Sequence, residues 1–416
     1  MLMFPRAAIN LVLVLVLLPL WVGCTLTDRQ KPMALPAEVR ESRFIDDNQP
    51  QLLEDSTDPA MIAAMKNPPR RVCDADCQIA QKARPSYNVL AISGGGSYGV
   101  FDVGVLNGWT ESGTRPVFDM VTGISTGAFI STFAFLGPKY DQMLHDAYVY
   151  ARAEDIYKLR SWIAILFHDS LANSSPLKNK IDEAITPEVI EEVAKAHRAG
   201  RRLYVGTTNL DTRRFVIWDM GAIASSGRPD AIDLYRKVIF ASGSIPGFFP
   251  PVLIDVEVNG KKYRELHVDG GSTTSVFVPM TVGKCDPNNP HLRPGSNVYV
   301  MLSGKLYADS ATVKKTFISI TRNSITSMLY SVARADVFRI YNQALTCGME
   351  FHLTAIPQTV PLKPGSLSFE PRELQQLFEI GREMGLSPNG WRHVPPGAEL
   401  SELTVPRTGT KFRTEK

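Results

Sequence analysis

Excess charge of either sign is absent from this chain. Lys and Arg number 45 against 42 Asp and Glu, a formal net charge of +3. No Lys/Arg run stands out, so the footprint of a nucleic-acid partner is missing. Cysteine is scarce, at five in 416 residues. Cys73-Asp74-Ala75-Asp76-Cys77 has no histidine or second cysteine pair near it to complete a metal site. A Walker-type Gly-Lys-Ser/Thr, a calcium loop of the EF-hand pattern, internal repeats and low-complexity tracts are also lacking. Hydrophobic residues at 44% and charged residues at 21% match globular averages. Disordered, collagenous and polytopic membrane classes are thereby excluded. The length allows two or three domains, or one large α/β domain with extensions.

One long apolar run occurs, at the start. Met1–Arg6 carries a single positive charge, Ala7–Val22 is apolar apart from Asn10, and the chain turns polar after Gly23 and Cys24. That order is the n-region, h-region and small-residue site of a secretory signal, and the run is short for a spanning helix. Val22-Gly23-Cys24 resembles the end of a bacterial lipoprotein lipobox, with Trp21 departing from the usual Leu. The resemblance implies a signal peptide over 1–23 and lipidation of Cys24, so that acyl chains hold the mature protein to a bilayer. Thr25, in place of Asp, points to the outer membrane. In such a compartment Cys73, Cys77, Cys285 and Cys347 can pair, with Cys73–Cys77 the most local choice.

Residues 24–86, rich in Pro, Asp, Arg and Gln, read as a tether or a wrapping arm, with a short helix near Asp58–Lys66. From residue 87 to 416 one catalytic domain with a C-terminal helical extension is expected. Strands are predicted at Asn88–Ser93, Phe118–Ile124, Arg202–Thr208, Arg214–Asp219, Lys262–Val268, Asn297–Leu302 and Met349–Ile356. Helices are predicted at Gly99–Thr110, Thr126–Leu136, Pro229–Ser242, Val313–Leu345 and Glu370–Met384, and Asp182–Val193 reads as a solvated helix face. Strands alternating with helices imply an α/β sandwich on a mostly parallel sheet.

Three glycine-bearing turns carry the chemistry. Gly94-Gly95-Gly96-Ser97-Tyr98-Gly99 lies between a strand and a helix, where backbone N–H groups and the helix N-terminus converge on an anion. The turn fits a phosphate cradle or an oxyanion hole, but no acidic residue ends a second strand as a dinucleotide fold requires. Gly123-Ile124-Ser125-Thr126-Gly127 has the strand-to-helix setting of a nucleophile elbow. Asp269-Gly270-Gly271 follows a further strand. A Ser125–Asp269 pair with a later histidine (His291, His352 or His393) has the chain order of an α/β-hydrolase triad, and His267 would share a strand face with Asp269.

The order glycine loop, serine elbow, Asp-Gly-Gly resembles the patatin-like phospholipases over about Tyr87 to Leu302. Phe240–Pro251 (FASGSIPGFFPP) and His267–Gly271 (HVDGG) are also similar to bacterial members. The resemblance implies a three-layer α/β sandwich, an acyl-ester lipid substrate such as a phospholipid, and no metal or other cofactor. It further implies a histidine-free dyad with Ser125 as nucleophile, Asp269 as base, and an oxyanion hole from Gly94, Gly95, Gly96 and Gly99. Gly123, Gly127, Gly270 and Gly271 complete the motifs. Two positions depart: Tyr98 stands where the family commonly has Arg or Lys, and Ser93 where many members have Asp. Loss of the basic residue is expected either to lower the rate or to shift the preference toward neutral esters. Phe248–Pro251 and Trp162–Phe167 are the apolar clusters available to line an acyl groove.

Overall fold

A computed structural model describes residues 52–54, 87–165, 168–258, 261–279, 296–310, 312–362 and 367–395. The signal segment, Cys24, Asp58–Lys66, Cys73, Cys77, Cys285, His291 and residues 166–167 lie outside the described residues. In chain order the principal elements are β1 (Leu52–Glu54), β2 (Asn88–Ile92), α1 (Gly99–Glu111), β3 (Met120–Ile124), α2 (Thr126–Leu136), α3 (Asp141–Val149), α4 (Ser175–Ala184) and α5 (Pro187–Arg198). There follow β4 (Arg202–Asn209), β5 (Arg214–Asp219), α6 (Ala231–Ser242), β6 (Val252–Val258), β7 (Lys261–Asp269), β8 (Asn297–Leu302), α7 (Phe317–Thr346), β9 (Glu350–Ala355) and α8 (Pro371–Leu386).

The sheet runs β1-β5-β4-β3-β2-β8-β9. Its five strands from β4 to β9 are mutually parallel. β5 and β1 extend it antiparallel, and the β6–β7 hairpin joins β4 through β7. Thus Leu52–Glu54, inside the segment read as a tether or arm, is an edge strand paired with Val216–Trp218.

β2 is buried along its whole length, as a central parallel strand covered on both faces must be. Its side chains alternate between two cores. Leu90 and Ile92 join the cluster beneath α1, α2, α6 and α8, whereas Val89 and Ala91 join Val298, Val300, Val337 and Ile340 beneath α7. Helices therefore cover both faces, and the three-layer α/β sandwich is the observed architecture.

The strand Val252–Val258 is absent from the sequence reading. Its signal was an alternating run ending at Asn259-Gly260, a favoured two-residue hairpin pair. The helix face expected over Asp182–Val193 is instead two helices. Pro187 starts the second, and the Thr186 hydroxyl accepts the Val189 N–H, so capping and proline break the run. Ile181, Val189, Ile190 and Val193 are buried rather than solvated. Cys347, which ends α7, is disulfide-bonded.

α8 lies backbone to backbone against α1. A Cβ on Gly104 would sit 2.1 Å from the Phe378 carbonyl oxygen, and one on Gly385 would sit 2.2 Å from that of Val105. The Arg382 guanidinium closes the pair with two hydrogen bonds to Glu111, at 2.7 and 2.6 Å. The C-terminal helix thus braces the helix that follows the glycine loop. Gly104→Val or Gly385→Val should each destabilise the fold by about 3 kcal/mol or more, because backbone cannot retreat as a side chain can. Gly113→Ala, which meets no atom within 4 Å but has φ of +70°, should cost only about 1 kcal/mol. Denaturant midpoints of the three variants check this ordering.

Candidate active site

Ser125 sits between β3 and α2 with φ 55° and ψ −123°, a backbone conformation that side chains rarely adopt. Two flanking residues permit the turn. A Cβ on Gly123 would meet the Gly127 oxygen at 2.2 Å, and one on Gly127 would meet the oxygens of Ile92 and Ser93 at 2.5 Å. The elbow therefore packs directly on the end of β2. Ser242, at the end of α6, holds it from the other side. Its Oγ accepts the Ser125 N–H at 2.9 Å and donates to the Gly206 oxygen at 2.6 Å.

Asp269 ends β7 opposite Thr207 of β4. The Ser125 hydroxyl donates to Asp269 Oδ2 at 2.6 Å, and the Gly271 N–H donates to Oδ1 at 2.7 Å. Gly270 packs on the Gly206 carbonyl. Ser125 and Asp269 are only 9% and 6% exposed. Burial pushes the Asp269 carboxyl up to about 6, against the lowering pull of the Ser125 and Gly271 hydrogen bonds. A carboxylate near 4 is a poor base for a hydroxyl; one raised toward neutrality is better matched to the task.

The glycine loop stands on the same sheet edge. Gly94 lies against Ser125 Cβ, and its N–H donates to the Ser275 oxygen at 3.3 Å. Gly95 packs on the Ser303 backbone, and Gly99 packs on Thr126 and Tyr148. Gly96, with φ of +57°, lines a cavity together with Ser97, Ser125 and Thr126. Among the described residues no carbonyl accepts the N–H of Gly95, Gly96 or Ser97, so these groups and the start of α2 can receive an anion. The cavity measures about 480 Å³. Beyond the serine it is lined chiefly by Phe129, Tyr148, Ile181, Ile239, Ile245 and Phe249. Of the two apolar clusters singled out in the sequence, Phe248–Pro251 thus contributes Phe249, whereas Ile163 of the other is exposed.

The histidines are engaged elsewhere. His267 is fully buried, with Nδ1 2.9 Å from Thr207 Oγ1 and Nε2 3.2 Å from Glu265 Oε2. His352 stacks on Tyr299 and meets Asn297 at 2.9 Å, and His393 packs against it. Among the described residues no histidine hydrogen-bonds Ser125 or Asp269. His352 lies in the first half of β9, which runs parallel to β2 through β8, away from the edge bearing the serine.

One group under the loop escaped the sequence reading. Asp102 of α1 is fully buried and hydrogen-bonds Ser303, whose N–H and Oγ bond the Ser93 Oγ and carbonyl. Among the described residues its Oδ1 has no hydrogen-bond partner, and burial pushes its pKa up to about 8. A lone acid inside Gly99–Leu106 (GVFDVGVL) was the visible signal. Ser93, noted as a departure, is the other end of this network.

Residues 90–281 match the family model described as patatin-like phospholipase. No curated protein matches the chain. Solved structures with similarity include VipD from Legionella pneumophila, at 12% identity and TM-score 0.34, covering 73% of this chain and 66% of that one. Another is the human GIVD cytosolic phospholipase A2, at 11% identity and TM-score 0.27, covering 83% and 52%. The chain therefore spans less than two thirds of the length of either.

Two stability outcomes arise from the raised carboxyls. A pKa raised on folding contributes stability that is present below the unfolded value near 4 and is lost as pH rises through the folded value. Asp269→Asn should therefore be more stable than wild type at pH 8, by on the order of 2–3 kcal/mol, with the difference vanishing near pH 4. Asp102→Asn should flatten the fall in melting temperature expected between about pH 4 and pH 8, the part above about pH 6 being due to Asp102 alone of the two. Thermal melts across pH check both. With the glycine loop, the elbow and the Asp-Gly-Gly turn on one sheet edge, residues 90–281 of this chain match the patatin-like phospholipase family model.

Proposed function

We propose that the protein is a lipid acyl hydrolase of the phospholipase A type that uses a Ser125–Asp269 dyad. The observation that carries this reading is the buried 2.6 Å Ser125–Asp269 hydrogen bond, whose serine lines a largely apolar cavity. Ser125 Oγ attacks the ester carbonyl carbon as its proton passes to Asp269. The oxyanion is received by the N–H groups of Gly95 or Gly96 and of Thr126, each worth on the order of 3 kcal/mol. The intermediate collapses to an acyl-enzyme, and the alcohol leaves with the proton from Asp269. Water then attacks the acyl carbon, giving a proton to Asp269 that returns to Ser125 as the fatty acid departs. The acyl chain occupies the cavity beyond Phe129 and Ile239. Cys24, lipidated at the mature N-terminus, holds the enzyme at the outer membrane of its bacterium.

Acyl release from phospholipid vesicles and covalent labelling by a fluorophosphonate test this. Ser125→Ala and Asp269→Asn should each lower release by on the order of 10³-fold or more, while Ala at His267, His352 or His393 should leave it within a few-fold. Wild-type labelling should rise with pH through about 6, as Asp269 loses its proton. Loss of activity in a folded histidine variant would move the chemistry to a triad. Absence of wild-type labelling and release would leave a lipid-binding protein.

A further inference from the structure

Helix α7 has two halves of different kinds. Asp336, Val337, Ile340, Gln343 and Ala344 are buried against the sheet, whereas no residue from Phe317 to Ala335 is buried. Phe317, Ile318 and Met328 are 83, 78 and 66% exposed. Arg334 holds the base of this segment by donating to the Leu306 carbonyl, most residues ahead of it are exposed, and the topology gives the direction of the projection. α7 precedes β9, which runs parallel to β2 and β3, so α7 begins beyond the strands' C-terminal edge. Asp336 marks that edge. Its Oδ2 accepts the Ser275 N–H at 2.7 Å, and the Ser275 carbonyl accepts the Gly94 N–H of the glycine loop. At 1.5 Å per residue the segment ahead of Asp336 reaches about 28 Å past the edge that holds Ser125.

The sequence of this segment has a consistent chemistry. At about 100° per residue, Phe317, Ile318, Ile325, Met328, Leu329 and Val332 share one stripe, and Ser319, Asn323, Thr326 and Ser327 lie opposite, together with Ile320 and Tyr330. From Ser310 to Ala335 the chain has Lys314, Lys315, Arg322 and Arg334 and no Asp or Glu. Lys314, Lys315 and Arg322 are exposed. Among the described residues no helix is long and apolar enough to cross a membrane. An apolar stripe with cations and no anions is complementary to an anionic bilayer surface, where such a helix lies in the plane of the interface.

We propose that residues 312–335 dock the protein on anionic lipid. The stripe from Phe317 to Val332 enters the boundary between headgroups and acyl chains, and Lys314, Lys315 and Arg322 meet lipid phosphates. The purpose assigned to this docking, setting the Ser125 edge on its substrate, rests on the hydrolase reading above; the docking itself does not.

The test uses the full chain carrying the photo-cross-linker benzoylphenylalanine at Ile325 or, separately, at Ser327. Vesicles are phosphatidylcholine alone or mixed with phosphatidylglycerol. The Ile325 site should cross-link to lipid, increasingly with phosphatidylglycerol, and the Ser327 site should not. The variant I318D/I325D/L329D should lose roughly tenfold in vesicle hydrolysis and keep wild-type hydrolysis of a monomeric short-chain ester. K314E/K315E should remove the dependence on phosphatidylglycerol. Cross-linking of Ile325 to a second copy of the chain, equal cross-linking from both sites, or undiminished vesicle hydrolysis by the triple variant would overturn the proposal. Failure of the hydrolase reading would appear separately, as no wild-type release from either substrate, and the cross-linking result would then decide the docking helix alone.

Discussion

A carboxyl group kept out of water beside a hydroxyl is the constraint around which this molecule is arranged. Asp269 has two hydrogen bonds, from Ser125 and from the Gly271 N–H, and no charged partner among the described residues hydrogen-bonds it. Burial wins over those bonds and raises its pKa. The fold thereby accepts a stability cost at neutral pH, the trade that the proposed role of Asp269 as a base would require. The supports are correspondingly rigid. Ser242 fixes the strained elbow through its backbone N–H, and the Ser244 carbonyl accepts the N–H of Asp269. One short segment at the end of α6, from Ser242 to Ser244, thus holds both members of the pair.

The glycine loop is braced from behind by elements far away in the chain. Ser303, after β8, packs on Gly95 and bonds both Ser93 and Asp102. α8 presses on α1 at backbone distance through Gly104 and Gly385. The matched family segment ends at residue 281, yet β8, α7, β9 and α8 supply a sheet edge, the second core and the brace for α1. The segment that carries the motifs therefore owes its geometry in part to these C-terminal elements. The same later region provides α7, whose inner half closes the second core and whose outer half is free of it.

Much of this was legible in the residues. The parallel strands were readable as short apolar runs ending at glycine turns, because a strand covered on both faces must be apolar throughout. Ser125, Asp269 and the glycine loop were readable because a sharp strand-to-helix turn admits few residue types. The break at Pro187 and the pairing of β6 with β7 are also written in local chemistry, in a proline at a helix start and an Asn-Gly pair after an alternating run. Asp102 was visible as an acid in an apolar helix, but its partner Ser303 lies some 200 positions away.

By itself, then, the sequence determined the α/β class, the order of the motifs and the residue types at the three turns, since local backbone preference and periodicity act over a few residues. Only the tertiary structure decided that Asp269, and no histidine among the described residues, lies within hydrogen-bonding distance of Ser125. It alone brought Ser242, Ser303 and α8 against the turns and separated the buried half of α7 from its exposed half. Those facts depend on which distant surfaces exclude water from one another, and spacing along a chain does not encode that.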